Sequence, residues 1–379
     1  MSEFGQEKPD KVDMTFIALK AGVSRSTVAR VISDPGKVKE STRSRVQAVM
    51  AEHKYLYNLH AADFTKRKTS MFALIIPTVR SSIHAEFIEG IHDGLKSSPY
   101  DLAIGYTGYD LDEEAEYIKI FSERKMAGII ILGIKEQTKD LIYSIVARKE
   151  MGVVSTWEYT PQYPISCVGF DNFEAARKMT RYLTSLGHRR IGLITGPTSA
   201  STRVMRRLEG YRTALEDAGI PFDDRYVTHT FPSLVDGRGA ATRMMELDPR
   251  PTAIFAASDA LAIGVLKALR DLRICVPDDV SVCGFDNIDI ASYCAPTLST
   301  VAVPAYEMGL KAAHSLICQA DNPDCEVQKY CLDTELIIRD SSAPLTVPDF
   351  RPSRDGGFEY GRVDTDGRPT VPDPDPEEE

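Results

Sequence analysis

The chain has 379 residues, 43% apolar and 26% charged, which is ordinary composition for a soluble globular protein and too long for a single core, so two or three folding units are expected. No apolar run approaches the roughly 20 residues that span a bilayer, and the opening MSEFGQEKPDKVDM lacks the basic start and apolar stretch of a secretory signal, so a cytoplasmic protein with no membrane partner is expected. The net charge of −10 argues against a polyanion partner only on average: residues 1–69 carry thirteen Lys/Arg against eight Asp/Glu, and residues 345–379 carry four Arg against ten acids. The positive end is where the electrostatic part of DNA binding would have to lie.

Residues 1–10 are polar and read as a disordered start. A first short helix over 15–20 follows, with Asp13 as its N-cap and Phe16, Ile17 and Ala18 as its apolar content. Gly22 takes a turn that favours a residue without Cβ, and Ser24 opens a second helix. Val28 and Val31 or Ile32 fall at helical spacing toward a small core, which leaves Arg25, Ser26, Ala29 and Arg30 on the opposite face. After Asp34-Pro35-Gly36, a third helix is expected over about 40–52, with Val46 and Val49 or Met50 inward. Helix, glycine turn and capped helix make a helix-turn-helix. Residues 55–68 then read as a basic, flexible linker.

From Met71 onward, buried strands alternate with amphipathic helices. Strands are expected at 72–77, 102–106, 128–132, 153–156 and 167–170, then at 191–195, 225–230, 253–256 and 281–285. Helices between them are expected at 83–97, 113–125, 138–149, 174–186, 201–218, 237–246 and 260–272. This alternation predicts parallel sheets covered on both faces, in two rounds with a cleft. Beyond Phe350 the text is Pro, Asp, Gly, Arg and Glu, and reads as a disordered acidic tail.

Seven cysteines, Cys167, Cys275, Cys283, Cys294, Cys318, Cys325 and Cys331, form an odd set with no CxxC pair. Most are expected to be reduced thiols, several of them buried beside apolar neighbours, with no disulfide framework, no metal site and no cofactor.

Seven blocks of this text, AGVSRSTVARVI, TRSRVQAVMAEHKY, VGFDNFEAARKMTRYLTSLGHRRIGLITGP, RRLEGYRTAL, PTAIFAASDALAIGVLKAL, VSVCGFDNIDIASYCAPTLSTV and ELIIRDSSAP, resemble the lactose and galactose repressor family of bacterial transcription regulators. The resemblance implies an all-α helix-turn-helix headpiece, a hinge, and an α/β two-lobed sensor similar to periplasmic binding proteins, in a homodimer. The domains would then run 11–56 for the headpiece, 57–70 for the hinge, 71–344 for the sensor and 345–379 for the tail. Within the sensor, three crossings near Gly169, Pro296 and 321–328 would give an N-lobe of about 71–168 and 297–322 and a C-lobe of about 169–296 and 323–344, with 301–317 returning to the N-lobe.

A recognition helix offers its N-terminal side chains to base edges while hydroxyls and basic groups hold phosphates. Arg25, Ser26 and Arg30 are the candidate base readers, Ala29 a methyl contact, and Thr15, Ser24 and Thr27 the phosphate contacts; the alternative is that the two arginines are merely solvated. In the hinge the resemblance assigns Asn58 and Ala61, and Phe64 where the family has a leucine that wedges into the minor groove. Ala62 stands for a usual arginine and Asp63 for a usual serine, which weakens that match. A dimer would read a near-palindromic double-stranded operator.

Ligands of parallel sheets lie outside the carboxyl ends of the strands. Family positions there are Val79, Arg80, Ile83, His84, Trp157, Arg207, Phe231, Ser258, Asp259 and Asp286. Arg207 and Asp286 would pair donors and acceptors for a polyol, and Trp157 and Phe231 would stack on a sugar ring. Ser258 replaces a usual asparagine, and Asp259 is as fit to cap a helix as to touch ligand. A carbohydrate effector is the expectation, with a purine or phosphorylated metabolite as the alternative; Arg80, unusual for a neutral sugar, would favour a carboxylate or phosphate on the effector. An enzyme is opposed by the absence of GxSxG, HExxH or a Walker loop, and a non-regulatory binding protein by the headpiece.

Overall fold

The computed structural model describes residues 12–55, 69–197, 201–322 and 324–345. The first of these segments is a three-helix unit: α1 (Met14–Ala21), α2 (Arg25–Ser33) and α3 (Glu40–Glu52). Asp13 Oδ1 accepts the amide of Phe16 at 2.8 Å, Gly22 ends α1 in the left-handed region at φ 62°, and Ser24 Oγ accepts the amide of Thr27 at 3.1 Å. These are the start, stop and start signals read from the sequence. Ile17, Ala18, Ala21, Val28, Val31 and Val46 form the core, with Ile32, Val49 and Met50 packed at its margin. Six mostly small side chains bury little apolar area, so each cap weighs heavily on stability. Ser24→Ala is expected to lower headpiece stability by about 1 kcal/mol, read as an earlier helical melt by circular dichroism.

The remaining described residues form two compact α/β units, one within Met1–Gly169 and Ala305–Cys331, the other within Phe170–Pro304 and Leu332–Glu379. The first unit carries β1 (Met71–Ile76), α4 (Ser82–Leu95), β2 (Asp101–Tyr106), α5 (Leu111–Glu123), β3 (Gly128–Leu132), α6 (Glu136–Ala147), β4 (Gly152–Thr156) and β5 (Ser166–Gly169). The second carries α7 (Asn172–Ser185), β6 (Ile191–Thr195), α8 (Thr202–Asp217), β7 (Val227–His229), α9 (Leu234–Met244), β8 (Ala253–Ala256), α10 (Asp259–Asp271), β9 (Ser281–Asp286) and β10 (Ser299–Ala302). α11 (Ala305–Asp321) and β11 (Lys329–Cys331) belong to the first unit, and β12 (Glu335–Ile337) to the second.

Every residue of β3, β5, β6 and β8 is buried, as strands of a parallel sheet covered on both faces require. The first sheet has the order β11-β5-β4-β3-β1-β2, all parallel; the second has β12-β10-β9-β8-β6-β7, parallel except for the antiparallel edge β12. Each order reverses direction once, between β1 and β3 and between β6 and β8. Those two switch points are where open α/β sheets receive ligands.

Three expectations shift. Residues 224–226 form a 3₁₀ turn rather than strand, so β7 keeps only three residues. The return to the first unit comes at Pro304–Ala305 rather than near Pro296, because Ser299–Ala302 pairs with Cys283–Asp286 and stays in the second sheet. The last crossing comes at Cys331–Leu332 rather than within 321–328, because Lys329–Cys331 pairs with Cys167–Gly169, so 324–331 belong to the first unit and not the second.

Helix pairs in both units meet through glycine. A Cβ at Gly309 of α11 would lie 2.2 Å from the Phe87 carbonyl oxygen of α4, and one at Gly90 would lie 2.1 Å from that of Tyr306. Gly237 and Gly264 do the same between α9 and α10, as does Gly210 of α8 against Phe173 of α7. Backbone cannot yield as a side-chain tip can. Gly309→Ala is therefore expected to destabilise the first unit by about 1–3 kcal/mol, measurable as a lower midpoint in urea with an unchanged slope.

The cysteines hold one bonded pair that the sequence did not point to. Cys167, Cys275, Cys283, Cys294 and Cys331 are free thiols, but Cys318 and Cys325 form a disulfide across seven residues. The bond joins the last turn of a helix to the turn that follows, a spacing that carries no motif.

Candidate DNA interface and ligand-facing strand ends

On the headpiece, the burial of Val28 and Val31 fixes the rotation of α2 and turns Arg25, Ser26 and Arg30 outward. Ser24 Oγ lies 2.8 Å from Ser26 Oγ and 2.9 Å from Thr27 Oγ1, so hydroxyls gather at the helix N-terminus, where amides and dipole favour a phosphate. The nearby cations Lys37 and Arg43 are held by Asp34 and Glu40. Among the described residues no carboxylate stands within ion-pair distance of Arg25 or Arg30. Ser26, Ala29, Arg30, Asp34 and Lys37 line one open depression, which joins the outer face of α2 to the turn after it. Thr15 is exposed on α1. The hinge candidates Asn58, Ala61 and Phe64 lie outside the described residues.

At the strand ends of the first unit the candidates divide by exposure. Val79 and Arg80, just after β1, face solvent. Ile83 and His84 lie in the first turn of α4 and are buried. His84 Nδ1 donates to the Thr78 carbonyl at 2.7 Å, and its ring meets Trp157 edge-on at 5.4 Å. Trp157 follows β4 at φ 69°, packs also on Phe87, and is 2% exposed. The aromatic group is thus a floor under the exposed loop.

The second unit concentrates its charge at the carboxyl ends of β8 and β9. Arg207, in the second turn of α8, donates from Nε to Asn172 Oδ1 at 2.8 Å and from Nη1 to the Ala257 carbonyl at 2.8 Å. Its guanidinium lies 3.7 Å from the centre of the Phe285 ring, a cation–π contact in a water-poor setting. Burial draws its pKa down to about 10. Asp286 feels the same burial, which pushes its carboxyl up to about 8 against the pull of Arg207 and Arg203. Burial is the larger effect on both.

Asp286 and Asn287 occupy the left-handed side of backbone space, at φ 117° and 59°. Such strain persists only where neighbours over-determine it. Here the Asp286 carbonyl accepts the amide of Val303, and Arg339 donates to Asn287 Oδ1 at 2.8 Å. Beneath them lies Asp259, fully buried, whose Oδ2 accepts the amide of Ile288 at 2.9 Å and whose Oδ1 accepts the hydroxyl of Thr300 at 2.6 Å. Burial raises its pKa to about 6, and these hydrogen bonds oppose the rise. Gly284 is required here, since a Cβ would stand 2.0 Å from Asp259 Oδ1. Ser258 Oγ accepts the amide of Leu261 at 3.3 Å and so caps α10. Phe231 is exposed after β7.

Asn172, Phe285, Thr300 and Arg339 did not emerge from the sequence as part of this cluster. One signal was available: the tetrapeptide GFDN occurs twice, at 169–172 and 284–287. The first copy supplies the amide that Arg207 grips and the second the ring it covers.

A family profile described as bacterial regulatory proteins, lacI family, matches residues 14–58, and a periplasmic binding protein-like domain matches residues 180–342. The chain is 34% identical over 336 residues to the HTH-type transcriptional regulator DegA of Bacillus subtilis, covering 88% of this chain and 99% of that protein. It is 31% identical over 339 residues to the HTH-type transcriptional repressor CytR of Escherichia coli, covering 88% and 96%. Among solved structures, a lacI family regulator from Silicibacter pomeroyi superimposes with a TM-score of 0.76 at 25% identity, over 87% of this chain and 99% of that one. The lac repressor dimer bound to operator gives the same score at 22% identity over 88% and 99%, a likeness of fold. The chain belongs to the lacI family of bacterial regulatory proteins and is a DNA-binding transcriptional regulator.

Proposed function

We propose that this regulator binds a near-palindromic operator as a homodimer, in the cytoplasm beside the chromosome, and that a small metabolite sets its affinity. The observation that carries the reading is the outer face of α2, where Arg25, Ser26 and Arg30 stand exposed over a hydroxyl-lined helix start with no described carboxylate to neutralise the arginines. In this reading Arg30, Arg25 and Ser26 read bases, Ala29 offers a methyl group, and Thr15, Ser24 and Thr27 hold phosphates. In the same reading Asn58, Ala61 and Phe64 are the minor-groove contacts.

Two faces suit a second copy. The edge strand β2 exposes Ile104 and Tyr106, and in the second unit Ile290 and Tyr293, the latter 83% exposed, lie together on one 3₁₀ turn and its end. The effector is read at the strand ends: Val79, Arg80, Ile83, His84 and Trp157 in the first unit, Arg207, Phe231, Ser258 and Asp286 in the second. Asp259 serves there as the support of Asp286. Arg207 as donor and Asp286 as acceptor suit the hydroxyls of a carbohydrate. A purine or phosphorylated metabolite is the second reading, supported by exposed Arg80 and by Arg203, whose field reaches Asp286. The effector moves DNA affinity only by its different affinity for the two states of the protein.

Selection from random duplex DNA followed by footprinting tests the reading. A discrete two-fold site is expected; uniform coating of every sequence would sink it. A thermal-shift screen of sugars, nucleobases and sugar phosphates identifies the effector class, since a ligand at about 100 times its Kd adds roughly 2.7 kcal/mol.

A further inference from the structure

We infer that Cys318 and Cys325 form a site of reversible thiol oxidation, whose state sets how firmly β11 is held on its sheet.

Cys318 lies in the last turn of α11 and Cys325 in the turn that leads to β11, their Cα atoms 6.0 Å apart. Both are half-buried, flanked by exposed Asn322 and Asp324, so oxidants and reductants reach them. The other thiols divide into buried Cys167 and Cys283, half-buried Cys294, and exposed Cys275 and Cys331. Among the described residues no second pair is bonded.

The bond closes a short loop, so it restrains the unfolded chain less than a bond across a long loop would. The loop is also closed without it. The amide of Asn322 bonds the carbonyl of Cys318, and the amide of Cys325 that of Asn322, both at 2.9 Å. The two sulfurs therefore stay neighbours when reduced, and the bond re-forms readily. A regulator that works on the chromosome sits where thiols are kept reduced, and disulfides in such proteins are usually transient or redox-sensing.

What the pair controls follows from its neighbours. Gln319, next to Cys318, accepts the amide of Val153 at 3.1 Å and donates to Ser166 Oγ at 3.2 Å. Gln328, three residues past Cys325, donates its amide to Ser166 Oγ at 3.0 Å and takes the hydroxyl of Ser315 at 2.6 Å. Its carbonyl accepts the amide of Cys167 at 2.9 Å and starts the pairing of β11 with β5. The disulfide ties the two halves of this polar cluster. β11 is the edge strand from which the chain passes to the second unit, with only three residues paired.

With a peroxide as oxidant, one thiolate attacks the peroxide and becomes a sulfenic acid as water leaves. The second thiolate displaces hydroxide from that sulfur, which protonates to a second water. Two thiols and one peroxide thus give one disulfide and two waters, and a dithiol reverses the step by exchange.

The test uses the full chain, treated with dithiothreitol or with hydrogen peroxide, then alkylated and mapped by mass. Cys318 and Cys325 are expected to label after dithiothreitol and to be protected after peroxide, while Cys275 and Cys331 label in the reduced form. Amides of residues 326–331 are expected to exchange about tenfold more slowly in the oxidised form, and the Cys318→Ser, Cys325→Ser double variant to exchange at the reduced rate under both treatments. A pair that native dithiothreitol cannot open, or that labels fully after peroxide, overturns the site. Equal exchange in the two redox states overturns its hold on β11.

Discussion

Arg30→Ala is expected to weaken binding to the selected operator by about 30-fold or more while leaving non-specific duplex binding nearly unchanged. An arginine that is bidentate to guanine contributes roughly 1–3 kcal/mol of discrimination, and a dimer loses that contact in both half-sites. The side chain is exposed and, among the described residues, has no ion-pair partner, so folding is indifferent to the change within about 0.5 kcal/mol. Arg30→Lys sharpens the result. Lysine keeps the charge but not the planar fork, so a base-reading Arg30 makes lysine nearly as poor as alanine on operator. A phosphate-holding Arg30 makes lysine nearly as good as arginine, the loss uniform across sequences, and the salt slope smaller by about one. Titrations of operator and scrambled duplex at three salt concentrations separate the two; the second pattern removes Arg30 from the base readers.

The headpiece was legible because each of its signals is local. Asp13, Gly22 and Ser24 act on backbone within three or four residues of themselves, and the spacing of Val28 and Val31 alone sets which face of α2 is outward. The long parallel strands were legible for a similar reason: a run such as GIIIL can be satisfied only where both faces are covered. The short edges were not. β11 and β12 have three residues each, half-exposed and without alternation, and exist because a longer strand offers them partners. Ser299–Ala302 could have gone with either unit on pattern alone; its pairing with β9 decides.

At the second unit's strand ends, the sequence places Arg207 and Asp286 but cannot say what holds them. Asn172 is 35 residues from Arg207, and Thr300 is 41 from Asp259. Such contacts appear only once the sheet order is known. Asp259 illustrates the limit best. Cap and ligand contact were equally good readings of an acid at a helix start, yet it is buried beneath the turn that carries Asp286, spending its carboxylate on Ile288 and Thr300.

That arrangement gives the second unit an inverted response to pH. A carboxyl whose folded pKa lies above its unfolded value of 3.8 binds its proton more tightly in the fold. Its contribution to stability is then fully present below 3.8 and is lost as pH rises through the folded value. Asp259 is raised to about 6 and Asp286 to about 8, both chiefly by burial. Stability of the second unit is therefore expected to fall from pH 4 toward pH 8 in two limbs, the lower ending near 6 with Asp259 and the upper near 8 with Asp286. Asp286→Asn removes the upper limb and the share of the fall below pH 6 that Asp286 supplies, leaving only the part due to Asp259; because the native side chain is largely protonated at pH 7, the variant folds there with little change. Effector binding runs the other way. If Asp286 accepts a ligand hydroxyl, as proposed, affinity for the screened effector is expected to tighten by about tenfold from pH 7 to pH 9, as a group with pKa near 8 loses its proton. Asp286→Asn is expected to abolish that slope and most of the effector response, with operator affinity in the absence of effector unchanged. Urea midpoints and effector titrations across this range decide it: a variant that keeps the native slope between pH 6 and 8 shows that some other group titrates there, and takes Asp286 out of the effector site.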